Sequence, residues 1–177
     1  SREELGCTTE AFVFVYLGRL DVVAKGLDYL VKAFAAVAAQ QDAFLVLVGP
    51  DLRGGRGFLE ALAGRLNCAK RVRFLGPQFG EEKWRALKLA DAFISPSRWE
   101  SFGIAQVEAM GFGVPTLVST KLNISAQLAE ARAALVAALS TESVAAGMRR
   151  LMNEAALRRS LSESSRRWAA ENCSIET

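Results

Sequence analysis

The sequence predicts an α/β fold, a Rossmann-like, doubly wound parallel sheet of about six strands. Three observations predict it. Short β-branched and aromatic runs alternate with helical patterns along almost the whole chain. The strand-like runs are continuously apolar rather than half polar, as strands covered on both faces are. The residues that follow them, Gly18 and Arg19, Gly49 and Pro50, Gly76 and Pro77, and Ser97 to Glu100, lie at the edge where such sheets hold ligands.

Taken in order, "AFVFVYLG" at 11–18 reads as the first strand. The stretch "KGLDYLVKAFAAVAAQ" that starts at Lys25 then places Leu27, Leu30, Val31, Phe34 and Val37 on one helical stripe. "AFLVLVG" at 43–49 is the second strand, "GFLEALAGRL" at 57–66 a helix and "RVRFLG" at 71–76 the third strand. A helix over 81–90, a strand over 91–97, a helix over 103–113 and a strand over 114–120 follow. Residues 123–131 read as helical, 134–138 as a weak sixth strand, and two helices start from Glu142 and Ala155.

The length of 177 residues fits one domain, 1–177, with a core of its own. With 51% hydrophobic and 23% charged residues the composition is that of an ordinary globular protein. A net charge of +3 with the signs interspersed gives no nucleic-acid surface. Arg149, Arg150, Arg158, Arg159, Arg166 and Arg167 are expected to form a solvated helix face. The chain has no histidine, which excludes the Ser-His-Asp and Cys-His nucleophile systems and most zinc sites. Three scattered cysteines, Cys7, Cys68 and Cys173, read as free thiols of a reducing, cytoplasmic compartment. No apolar run reaches the roughly 18 residues that span a bilayer, and Ser1 opens no signal-peptide pattern.

The chemistry concentrates after the first and fourth strands. "RWESFGIAQVEAMGFGVP" at 98–115 carries Glu100 and Glu108 on either side of a helix start near Gly103. Unpaired N–H groups and the helix dipole attract an anion there, and a glycine lets it approach the backbone. Carboxylates on either side repel phosphate but accept hydrogen bonds from hydroxyl groups. A diphosphate with hydroxylated rings at both ends, a nucleotide sugar, suits that pattern. Arg19 and Lys25 bracket the first strand-to-helix turn in "GRLDVVAKG" and supply a forked and a point cation for adjacent phosphates. The turn lacks the glycine signatures of dinucleotide dehydrogenases and P-loop NTPases.

Assembled, "GRL…KG", "LVLVG", "RFLG" and "ADAFISPSRWESFGIAQVEAMGFGVPTLVS" resemble the C-terminal, donor-binding half of GT-B retaining glycosyltransferases of glycosyltransferase family four. The resemblance covers roughly residues 11–172. It implies that Arg19 and Lys25 neutralise the donor diphosphate, that Glu100 contacts the donor hexose, and that Glu108 contacts the ribose. It further implies that backbone N–H groups at Phe102, Gly103 and Ile104 hold phosphate or sugar oxygens, and that the base lies against Gly49, Pro50, Leu75 and Gly76. The implied reaction transfers a hexose from a UDP-, GDP- or ADP-sugar with retention, with no cofactor and no metal required beside the two cations. Asn123 and Ser125 stand where the family has a glycine turn, which alters the back of the donor pocket.

The resemblance also implies an N-terminal acceptor-binding domain that this chain lacks. The chain is therefore expected to be an inactive fragment on its own, and any membrane association belongs to the missing half. Two other readings of the residues stay open: a non-catalytic nucleotide-sugar-binding module and a Rossmann dinucleotide-binding domain.

Overall fold

A computed structural model describes residues 2, 3, 8 and 10–173; Ser1 and Cys7 lie outside the described residues. Six strands form one sheet: β1 (Phe12–Leu17), β2 (Ala43–Val48), β3 (Val72–Gly76), β4 (Ala92–Ser95), β5 (Thr116–Ser119) and β6 (Leu135–Ala137). They run in the order β3-β2-β1-β4-β5-β6, with every neighbouring pair parallel. The helices are α1 (Leu27–Ala38), α2 (Gly55–Arg65), α3 (Gly80–Leu89), α4 (Ile104–Gly111), α5 (Ser125–Glu130), α6 (Thr141–Asn153) and α7 (Ala155–Asn172). The doubly wound reading holds, and most elements are a residue or two shorter than their patterns.

Successive side chains of a strand point to opposite faces, and the strands use both. Phe14 and Tyr16 of β1 join Leu45 and Leu47 of β2 in a core under α1, α2 and α6. Val13, Val15 and Leu17 join Phe44, Val46 and Val48 on the other face, under α3 and α4. A third cluster unites Val107 and Met110 of α4, Val118 of β5, Leu128 of α5 and Trp168 of α7. No face of the central strands is left for water, which is why they read as unbroken apolar runs.

Two differences from the pattern have local causes. Helix α2 starts at Gly55 rather than at residue 57, because the Asp51 carboxylate accepts the Arg56 N–H at 2.9 Å and secures a turn whose glycines read as a break. The C-terminal arginines are not simply solvated. Arg158 donates to the Leu151 and Met152 carbonyls at 2.6 and 2.7 Å, completing the end of α6. Arg149 reaches the Ala36 carbonyl at 3.2 Å and Arg166 the Phe112 carbonyl at 3.2 Å.

The strand order reverses between β1 and β4, and the register shows a crevice opening there. β1 pairs with β2 along its full length, from Phe12 with Ala43 to Leu17 with Val48. With β4 it pairs only at Phe14 with Ala92 and Val15 with Phe93. Beyond Val15 the two strands part, and their following loops face each other across the gap.

Candidate functional site

The gap between the ends of β1 and β4 is a cavity of about 300 Å³ lined by Arg19, Lys25, Glu100, Phe102, Gly103 and Ile104, with Tyr16, Ser95 and Gln106 at its back. Six residues singled out by sequence meet in it. A second hollow of about 390 Å³ adjoins it and shares Arg19, Lys25 and Glu100, adding Trp99 and Asn123. The exposed Trp99 ring and the Asn123 amide make that side amphipathic.

Each wall follows from local chemistry. Gly103 has φ +79° and introduces α4, and a Cβ there would stand 2.7 Å from the Gln106 side-chain oxygen. A residue with a side chain would be strained and crowded at this entry. The first amides of α4 have no partner within the helix, and Ile104, Ala105 and Gln106 of that turn line the cavity. Gln106, buried in that first turn, donates to Ser95 Oγ at 2.7 Å and ties the helix start to the end of β4. Tyr16 donates its hydroxyl to the Arg19 carbonyl at 2.9 Å and fixes the second residue of the opposite loop. Burial holds the Tyr16 phenol well above its ordinary pKa, the negative charges of Glu100 and Asp21 add to this, and Arg19 opposes it. The Tyr16 hydroxyl therefore stays protonated as the donor to the Arg19 carbonyl.

The cations differ. Lys25 Nζ is ion-paired with Glu100 Oε2 across the crevice, whereas no described residue forms an ion pair with Arg19. A bound anion would find the Arg19 guanidinium available and would compete with Glu100 for Lys25. Arg98, next to this motif, forks Asp28 at 2.9 and 2.8 Å, and these hydrogen bonds raise its pKa above the ordinary arginine value.

The remaining predicted residues lie apart from the cavity wall. Glu108 is ion-paired with Lys83 of α3 at 2.7 Å, and Lys83 Nζ also lies 4.0 Å from the centre of the Trp84 ring. Gly49 and Gly76 join the ends of β2 and β3 through a 2.8 Å backbone hydrogen bond, and the Pro50 carbonyl accepts the Leu20 N–H at 2.9 Å. The Leu75 carbonyl accepts from the Gln78 amide at 3.1 Å. Asn123 donates its N–H to the Glu100 carbonyl at 3.1 Å, so the segment that stands where the resemblance implies a glycine turn braces the first glutamate. Lys83, Arg98 and Gln106 were not foreseen. An Arg after the fourth strand and an Asp in the first turn of the first helix could have signalled the Arg98 pair, because those strands are adjacent in this topology. Lys83 offers no such sign.

The family model described as glycosyl transferases group 1 matches residues 1–168. The chain belongs to the group 1 glycosyl transferases. Among its relatives is a D-inositol 3-phosphate glycosyltransferase of Actinosynnema mirum, 35% identical over 127 residues that cover 67% of this chain and 30% of the relative. Sucrose-phosphate synthase from Thermosynechococcus elongatus shares the fold with a TM-score of 0.85 at 26% identity, over 96% of this chain and 43% of that one. HepE of Anabaena, solved in complex with UDP and glucose, superposes with a TM-score of 0.86 at 22% identity, over 96% of this chain and 46% of the other. This group 1 chain thus spans less than half the length of each. Among its described residues no helix is long and apolar enough to cross a membrane, and no group of three or more His, Cys, Asp or Glu side chains could hold a metal ion.

Proposed function

We propose that this chain is the donor-binding half of a retaining glycosyltransferase that moves a hexose from a nucleotide-diphosphate sugar to an acceptor held by a separate N-terminal domain. The observation that carries the reading is the convergence of Arg19, Lys25, Glu100 and the start of α4 on one cavity at the strand-order reversal. The complex of the Anabaena neighbour with UDP and glucose supports a nucleotide sugar as ligand.

In this reading the diphosphate lies at the α4 N-terminus, where the amides of Phe102, Gly103 and Ile104 meet its oxygens. Arg19 and Lys25 stabilise the charge that grows on the leaving diphosphate as the anomeric carbon becomes oxocarbenium-like, and no metal is needed for that task. Freed from Lys25 by the phosphate, Glu100 accepts hydrogen bonds from hexose hydroxyls. Glu108, held by Lys83, accepts from the ribose, and the base rests against Gly49, Pro50, Leu75 and Gly76. The hexose, the retention of configuration and a cytoplasmic setting belong to this proposal.

Calorimetric titration of the chain with UDP, GDP, ADP and NAD tests it. Binding of one nucleoside diphosphate in preference to NAD, weakened in Arg19→Met, is the expected result. Preference for NAD would replace the reading with a dinucleotide site. Joined to its N-terminal domain, a protein that retains turnover after Glu100→Ala would instead be a module in which Glu100 has no part in the chemistry.

A further inference from the structure

Arg98 has no place in the donor site as described, and it does not line the 300 Å³ cavity. Its backbone and its guanidinium nonetheless both reach the segment that carries Lys25. The Arg98 backbone N–H donates to the Ala24 carbonyl at 2.9 Å. Nη1 donates to the Val23 carbonyl at 2.7 Å and to that of Val22 at 3.3 Å. Nη1 and Nη2 hold the two oxygens of Asp28 at 2.9 and 2.8 Å, and the guanidinium stacks 4.7 Å from the centre of the Tyr29 ring.

These bonds reach over 70 residues of sequence and bridge the two loops that part at the crevice. They enclose Lys25 on both sides, at residues 22–24 and at residue 28. Gly26 completes the contact, because it lies so close to Pro96 that a Cβ on it would stand 2.0 Å from the Pro96 carbonyl oxygen. A lysine is a flexible chain ending in a point charge, so its effect on an anion depends on how firmly its backbone is placed. The planar five-donor guanidinium can satisfy two carbonyls and a carboxylate together, which an ammonium cannot do with the same geometry.

We propose that Arg98 is a positioning residue that fixes the Lys25 loop against the Glu100 loop, so that Lys25 meets the donor diphosphate. The inference rests on the reading of the cavity as a diphosphate site. A purely structural Arg98 would lower stability and leave the affinity of the folded protein unchanged. A positioning Arg98 changes affinity, and does so through Lys25.

The test is a double-mutant cycle on the full 177-residue chain, titrated with whichever of UDP, GDP and ADP binds the wild type most tightly, after circular dichroism has shown each variant folded. Arg98→Met is expected to weaken the diphosphate by about 10-fold, and Arg98→Lys is expected not to restore it. In a Lys25→Met background the same Arg98→Met change is expected to alter affinity by less than about 2-fold. Unchanged affinity in folded Arg98→Met, recovery in Arg98→Lys, or an equal loss in both backgrounds would overturn the proposal. Should Arg98→Met not fold, Asp28→Asn takes its place under the same criteria, since it removes one arm of the clamp and keeps the carbonyl contacts. A wild-type chain that binds none of the three diphosphates defeats the reading of the cavity itself; one that binds, with variants to match, defeats only the role of Arg98.

Discussion

The two ends of the candidate donor site are built differently. At the crevice between β1 and β4, side chains hold the loops: Arg98 on Asp28 and Lys25 on Glu100 across long stretches of sequence, and Gln106 on Ser95 within the β4–α4 connection. At the ends of β2 and β3 the backbone does most of the holding, through Gly49 to Gly76, Gly18 to Val48 and Leu20 to Pro50, with the Lys83–Glu108 pair standing beside it. The first end couples its parts, so that one change is felt by several groups. The second consists of strand ends that hold one another in the manner of the sheet itself. A charged, transferring group needs the former, whereas a flat base and a ribose can be met by the latter.

The largest expected effect comes from Gly26→Ala. Its new Cβ meets the Pro96 carbonyl oxygen at 2.0 Å and the residue has φ +63°, and we expect a loss of about 3 kcal/mol, read from urea unfolding. Gly76→Ala, at φ +67° but with nothing within 4 Å of the added carbon, should cost only about 1 kcal/mol. Equal losses at the two glycines would erase the contrast between the ends.

Next in size is Lys25→Met, expected to weaken the preferred nucleoside diphosphate by about 10- to 100-fold in calorimetry. Glu108→Gln should weaken it by less than about 10-fold, since an amide still accepts from a hydroxyl. The reverse order would move the weight of binding to the second end.

Tyr16→Phe sharpens the crevice further. Loss of the hydrogen bond to the Arg19 carbonyl should cost about 1 kcal/mol at neutral pH. The folded protein keeps the Tyr16 proton at pH values where the unfolded chain, with a phenol near 10.0, gives its own up. Native protein then binds more protons than unfolded protein, and the wild type loses stability as pH rises through that value. The variant should lack this part of the alkaline decline, and urea midpoints measured from pH 8 to 11 would show it.

The smallest effect concerns Cys68, whose thiol burial pushes up from its ordinary value of 9.0. It should resist alkylation at pH 8 in native protein and react at the rate of global unfolding, as mass spectrometry of timed samples can show.

Much of this was legible beforehand, for identifiable reasons. Strands buried on both faces leave an unmistakable apolar run, and parallel order fixes which loops share an edge, so Arg19, Lys25, Glu100 and Gly103 could be placed together. What escaped was the pairing of side chains. Lys83 sits in "GEEKWRALKLA", where a lysine among glutamates reads as a solvated helix face, and only the packing of α3 beside α4 turns it toward Glu108. Asp28 in the first turn of α1 reads as a complement to the helix dipole, and its use as an anchor for Arg98 needs the third dimension. The C-terminal arginines look like a charged stripe until the carbonyls they reach are known.

The first turn of α4 lines the site, and α7 holds the other end of the helix. Ser165 Oγ donates to the Met110 carbonyl at 3.3 Å, Arg166 donates to the Phe112 carbonyl at 3.2 Å, and Trp168 and Ala169 pack with Val107 and Met110. An eight-residue helix is too short to hold its own direction. It behaves as a peg set in a socket made by α7. A protease cut between α6 and α7 would leave each candidate ligand-binding residue in place along the sequence, yet it would loosen the peg and with it the aim of the amides. Maturation of the site during synthesis accordingly waits for α7 to dock.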